Sequence, residues 1–145
     1  IVIFGTEAAE TITGTSGAET IDGLAGDDIL NGGSGGDIYI FRVGSGNDTI
    51  QETGSNSGND VVRLAGLNAH DVDITKNGND LSIRILSSGE TLTVKDHYLG
   101  SNTGIEYIQF ADKTMVNVAG IAQLLRNEAA AYLASPAART DTPAQ

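Results

Sequence analysis

Gly23–Ile40 reads GLAGDDILNGGSGGDIYI, one nine-residue phrase written twice. Aligned on Gly23 and Gly32, both copies carry Gly fourth (Gly26, Gly35), Asp sixth (Asp28, Asp37) and a large apolar or aromatic residue eighth (Leu30, Tyr39). The phrase extends backward through Gly14–Asp22 (GTSGAETID) and Gly5–Thr13 (GTEAAETIT). There Glu19 and Glu10 hold the acid position, and Ile21 and Ile12 the apolar one. Forward, Val43–Gln51 (VGSGNDTIQ) arrives two residues late with Asp48 and Ile50 in the same roles. After a longer gap, Ser55–Asp60 (SNSGND) begins a sixth turn before Val61 and Val62.

This spacing has a direct physical reading. Six Gly-rich residues make a turn, because Gly accepts the positive φ that tight turns require. The remaining three make a very short strand whose middle residue, the eighth of the phrase, points inward. Two phrases complete one coil with a turn on each side. A single coil cannot bury its apolar residues, so coils must stack. Stacking brings Asp28 near Asp48 on one side and Glu19 near Asp37 on the other. Carboxylates stacked in this way repel one another. A hard dication between them removes the repulsion and accepts turn carbonyls as further oxygen ligands. Folding and ion binding are then one event.

The pattern resembles the haemolysin-type calcium-binding repeat of the RTX family, GGxGxDxUx with U large and apolar. Gly32–Ile40 matches every defined position, and Gly23–Asn31 misses only the second Gly, which is Leu24. The resemblance implies a parallel β-roll, a right-handed solenoid of nonapeptides, with Ca2+ as its cofactor. It also implies ligand sets. In each, the second and fourth carbonyls of one turn and its acid join the first and third carbonyls and the acid of the next turn on that side. One set is Leu24, Gly26 and Asp28 with Val43, Ser45 and Asp48. A second is Thr15, Gly17 and Glu19 with Gly32, Ser34 and Asp37. A third is Thr6, Ala8 and Glu10 with Gly23, Ala25 and Asp28. A fourth is Gly33, Gly35 and Asp37 with Ser55, Ser57 and Asp60. Several positions depart from the pattern. Glu10 and Glu19 are one methylene longer than Asp, Ala8 replaces a Gly, and the slip before Val43 and the gap before Ser55 are expected to disturb the stacking.

From Asp60 onward the text changes to antiparallel strand and hairpin signals. Val61–Leu64, Asp71–Lys76, Leu81–Leu86, Glu90–Lys95 and Ile105–Phe110 read as strands, with Asn77-Gly78-Asn79-Asp80 as a turn. This half resembles the region that caps the roll in many RTX proteins. A cap is physically required, because the last coil exposes apolar residues and unpaired backbone. Val118–Leu133 reads as a helix with Asn117 as N-cap, followed by a tail over Ala137–Gln145. The expected fold is thus mainly β. Residues 1–60 form the roll, 61–116 a β-rich cap continuous with it, and 117–145 a helix and tail.

Composition bounds the function. The 145 residues carry a net charge of −11, which repels nucleic acid and anionic membranes and suits divalent cations. Without Cys there is no zinc finger, redox pair or disulfide scaffold. No apolar run is long enough to span a bilayer. The chain opens at Ile1 with no signal peptide and reads as part of something longer. His70 and His97 lack a metal-ligand spacing such as HExxH and are expected at the surface or at strand ends. Asp71 and Asp73 are expected on one solvated strand face. No GxSxG occurs and there is no Cys nucleophile, so no catalytic residues are assigned.

The reading is a calcium-binding module, not an enzyme, of a larger secreted bacterial protein. It folds on extracellular calcium and supports type I secretion and folding of its parent. Its expected partners are calcium ions, the parent's upstream domains and, by resemblance, the type I secretion machinery. The alternatives are an adhesion or carbohydrate-binding module of a surface protein, or the accessory domain of a secreted RTX hydrolase.

Overall fold

The computed structural model describes residues 1–52, 58–99 and 103–118. Its first half is a stack of short strands: β1 (Val2–Phe4), β2 (Thr11–Thr13), β3 (Thr20–Asp22), β4 (Ile29–Asn31), β5 (Ile38–Phe41), β6 (Asp48–Ile50) and β7 (Val61–Leu64). Odd and even strands of this half fall into two separate parallel ladders, because each turn carries the chain across to the opposite sheet. Thr and Ile dominate the strands, as suits a half-buried pleated surface.

Register converts the nonapeptide into a core. In the odd sheet Ile3, Ile21, Tyr39 and Val62 lie in one row. In the even sheet Ile12, Leu30 and Ile50 do the same. Ile21, Leu30, Tyr39 and Val62 are fully buried. Each such side chain contributes about 1.5–3 kcal/mol through burial.

The two-residue slip before Val43 does not disturb the stack as expected. β5 lengthens to take in Phe41, whose fully buried ring joins the core, and Arg42 just beyond the strand reaches Asp22 with its guanidinium at 2.8 Å. Leu30 therefore still faces Ile50 across the β4–β6 ladder.

Beyond residue 60 come a 3₁₀ turn (Ala69–Asp71), β8 (Val72–Asn77), β9 (Asp80–Ile85), β10 (Thr91–Val94), β11 (Tyr107–Gln109) and β12 (Met115–Asn117). The expectation of antiparallel pairing here needs correction. β7 pairs parallel with β5, β10 with β6 and β11 with β7, so the cap extends both ladders of the roll. The parallel partners are far apart in sequence, which leaves no hairpin signature. Antiparallel pairing begins one strand further out: β10 with β9, β9 with β8, and β11 with β12. Gly78, at φ 65°, turns the β8–β9 hairpin as expected.

Three further expectations change. Asp71 closes the 3₁₀ turn and accepts the Asn68 amide at 2.8 Å, so it shares no strand face with Asp73. Asn117 is not a helix N-cap but the last residue of β12, opposite Tyr107, and Val118 after it is buried and non-helical. The rest of the expected helix and the tail lie outside the described residues. His97 is fully buried, not at the surface. The Ile105 amide donates to its Nδ1 at 3.1 Å, so its Nε2 holds the proton and donates to the Val118 carbonyl at 2.6 Å. Burial keeps this imidazole below its ordinary pKa, hence neutral. It ties the loop after β10 to the end of β12.

Coil spacing depends on particular glycines. Gly35 sits at φ 85°, and a Cβ there would lie 2.7 Å from the Gly17 carbonyl oxygen in the adjacent turn. Gly78 also has positive φ but opens on free space. Gly78→Ala should cost about 1 kcal/mol, the backbone penalty alone. Gly35→Ala should cost more than this, because it also forces two coils apart. Denaturant titration of both variants at one fixed calcium concentration tests that ordering.

Candidate metal centre

Each aspartate at the sixth position of a turn is buried, with its carboxylate bridging to the neighbouring coil. On one side the Glu10 amide donates to Asp28 Oδ1 (3.0 Å) and the Asp28 amide to Asp48 Oδ1 (2.9 Å). On the other side the Glu19 amide donates to Asp37 Oδ1 (2.9 Å) and the Asp37 amide to Asp60 Oδ1 (2.9 Å). The pairs expected from the repeat, Asp28 with Asp48 and Glu19 with Asp37, are thus brought together.

One oxygen of each aspartate is used by this ladder. The other, Oδ2 of Asp28, Asp37, Asp48 and Asp60, is buried and has no hydrogen-bond partner. None of the four residues is more than 2% exposed. Buried oxygens left unpaired in this way are costly unless something satisfies them. The two glutamates differ. Glu19 reaches back over its own turn to accept the Thr15 amide at 3.1 Å and the Thr15 hydroxyl, and Glu10 accepts the Thr6 amide. The extra methylene lets them satisfy themselves.

Burial raises the aspartates' affinity for protons, and like charges across the coils add to it. Asp37 and Asp48 are pushed up to about 7 and Asp60 to about 8, and Asp28 is raised as well. Glu19 moves the other way, chiefly because the Thr15 hydroxyl donates to it.

Turn carbonyls lie close against the turn of the adjacent coil. The Thr15 oxygen would lie 2.6 Å from a Cβ on Gly33, and the Gly17 oxygen 2.7 Å from one on Gly35. In the reverse direction, the Gly32 oxygen would lie 2.6 Å from a Cβ on Gly14. Ala8 relates to Gly26, Gly23 to Gly5 and Gly26 to Gly46 in similar fashion. The second and fourth positions take positive φ in three turns, at Leu24 and Gly26, Gly33 and Gly35, and Gly44 and Gly46. No residue of the turns 5–10 and 14–19 does. Val43 is less regular. The nearest atoms to a Cβ on Gly23 belong to the Asp28 carboxylate rather than to Val43, because the chain leaves β5 two residues late. Ser45 is buried, and Ala25 and Ser34 are half-buried in their turns. Ser55 and Ser57 lie outside the described residues.

Unpaired hard carboxylate oxygens in turns rich in backbone carbonyls are the donor types of an oxygen-loving dication. Zinc or a softer metal would call for nitrogen or sulfur, which these turns do not offer.

Sequence reasoning missed Glu52, Glu90 and Glu106. Glu106 continues one ladder into the cap, accepting the Asp60 amide at 2.6 Å. A signal for it exists: Glu106-Tyr107-Ile108 repeats the acid-x-apolar spacing of Asp37-Ile38-Tyr39, and Ile108 pairs with Val62. Glu90 closes the other side by accepting the Gly44 and Gly46 amides at 3.0 and 2.7 Å. Its spacing to Leu92 is similar, but Leu92 pairs with Asp48, two residues out of phase. Glu52 follows β6, where the phrase calls for glycine.

Acid-stacked turns over a parallel roll define a calcium-binding repeat solenoid. The chain carries repeats of the RTX type. Residues 4–39 match the RTX calcium-binding nonapeptide repeat (4 copies), and residues 80–119 match the haemolysin-type calcium binding protein related domain. Among solved structures, extracellular lipase LipA from Serratia marcescens is similar at 17% identity and a TM-score of 0.28. That match covers 75% of this chain and 14% of the lipase chain. The repeats bind Ca2+. Among the described residues no helix is long and apolar enough to cross a membrane.

A pH dependence follows. The aspartates hold protons more tightly in the roll than at their ordinary value of 3.8. Without calcium, the roll should therefore lose stability as pH rises from about 4 to about 8, and level off above that. Calcium must displace those protons, so its affinity should rise over the same window. Calorimetric titrations at several pH values, in buffers of different ionisation enthalpy, should show tighter binding and proton release as pH climbs.

Proposed function

We propose that the chain is a calcium-driven folding module of a larger secreted protein and is not itself a catalyst. The observation that carries this reading is the set of four buried, unpartnered Oδ2 atoms in stacked turns. Where calcium is scarce, carboxylate repulsion and the chain entropy of many glycines keep the segment open. In extracellular calcium the charges are neutralised and the roll closes on its cap. Such modules bind at about 10⁻⁴–10⁻³ M. The open state suits export by a type I machinery, and closing outside the cell assists folding of the parent.

In this reading the ligands between adjacent turns are those implied by the repeat. Leu24, Gly26 and Asp28 face Ser45 and Asp48 on one side, with Val43 the weakest member. Thr15, Gly17, Gly32, Ser34 and Asp37 serve the other, where Glu19, already bonded to Thr15, contributes least. Gly33 and Gly35 serve the next site with Asp37 and Asp60. The set of Ala8, Glu10, Gly23, Ala25 and Asp28 is the weakest of all, since Glu10 already bonds within its own turn.

Circular dichroism of the chain titrated with calcium should show a gain of β signal that magnesium does not reproduce and EGTA reverses. Asp28→Ala and Asp37→Ala should each raise the calcium midpoint about tenfold, because each removes a charged ligand. Asp73→Asn, at an exposed strand position, should leave it in place. An equally folded spectrum after full chelation would overturn the proposal.

A further inference from the structure

Glu52 occupies the phase at which Gly14 and Gly32 open their turns, two residues after the inward residue of the preceding strand. The connection from Glu52 to Asp60 spans nine residues, whereas Gly32 to Asp37 spans six. A Cβ at that phase would lie 2.6 Å from the Glu19 carboxylate at Gly14 and 2.3 Å from the Asp37 carboxylate at Gly32, whereas Glu52 carries a full side chain there. Glu52 is half-buried, and Tyr39 holds it by donating its hydroxyl to Glu52 Oε2. That hydroxyl in turn accepts the Gly32 amide at 2.9 Å. The other oxygen, Oε1, is buried and has no partner.

Two more carboxylates, each with an unpartnered oxygen, lie close by. Asp37 and Asp60 are both 0% exposed, and each has an unpaired Oδ2. The Asp37 Oδ2 takes the space that a Cβ on Gly32 would need, beside the Tyr39 hydroxyl. One carboxylate oxygen from each of Asp37, Glu52 and Asp60 lies within 4.8 Å of the others. Calcium holds oxygens at about 2.3–2.6 Å, so two ligands on opposite sides of the ion stand about 5 Å apart. Three carboxylate oxygens within 4.8 Å of one another fit inside that span.

We propose that Glu52 is a calcium ligand outside the nonapeptide motif, completing a three-carboxylate site with Asp37 and Asp60 where the roll meets its cap. The proposal rests on the calcium-binding reading above and adds to it a ligand that the repeat does not contain. Affinity in oxygen sites grows with the number of charged ligands, so this site is the tightest on its side of the roll. Tyr39, the one aromatic residue at the inward phase of the repeats, acts as a positioning residue, because its hydroxyl orients Glu52.

The test is calcium titration of the whole chain by calorimetry, with Glu52→Gln beside Asp28→Asn. Gln keeps an acceptor for Tyr39 and removes only the charge. Glu52→Gln should weaken one class of site about tenfold and leave the class weakened by Asp28→Asn untouched. Carboxyl ¹³C NMR of the unmodified chain adds a readout that does not depend on the variant folding. The Glu52 side-chain signal should move at the same calcium midpoint as that of Asp60. Wild-type titration by Glu52→Gln, or a Glu52 signal that calcium does not move, overturns the proposal while leaving the repeats as calcium binders. A wild-type chain that takes up no calcium overturns both readings.

Discussion

Four aspartate oxygens, buried between coils and lacking any donor, are the constraint around which the molecule is arranged. Each aspartate spends one oxygen on a backbone amide of the neighbouring coil and turns the other into a gap where no amide can reach. The first bond sets the spacing between coils. The second oxygen is left buried without a partner, a cost that a cation or a proton relieves. Ladder and candidate ion site therefore share the same carboxylates.

Glycine makes this arrangement sterically feasible. The carboxylate of Asp28 occupies the space a Cβ would need at Gly23, with Oδ2 2.5 Å from that point. The first glycine of the phrase thus gives room to an acid five residues later. The fourth glycine has a separate task, since at Gly35 and Gly26 the neighbouring turn's backbone comes close enough to exclude any side chain. Leu24 takes φ 60° without being glycine, a local strain in the turn that holds Asp28. The cap copies the acid, not the glycine. Glu106 and Glu90 each present a carboxylate to the amides of the last turn on their side, so the final coil meets the kind of partner it would find in another coil.

The roll was legible because its physics repeats. Nine residues set the turn, the inward residue and the acid, and each recurrence reinforced the same reading. The cap was only half legible. Its strands announce themselves by alternation, but β7, β10 and β11 join the roll through parallel pairings that leave no local mark. His97 gave no warning of burial, because its two partners, Ile105 and Val118, are backbone groups brought in by the fold. Glu52 was hidden for a different reason. The reading sought acids at the sixth position, and this one stands where glycine is the rule.

The amide-to-carboxylate ladder has a direction. Asp60 receives from Asp37, Asp37 from Glu19, and Glu106 in the cap receives from Asp60. Every coil thus leans on the one that follows it in the chain. Shortening the stack from its front removes donors and leaves the remaining carboxylates in place, whereas cutting from the cap strips each exposed coil of the acceptor it needs. Such a polymer is polar in the sense that a filament is polar: its two ends are not equivalent, and only one of them can be trimmed without undoing the next layer.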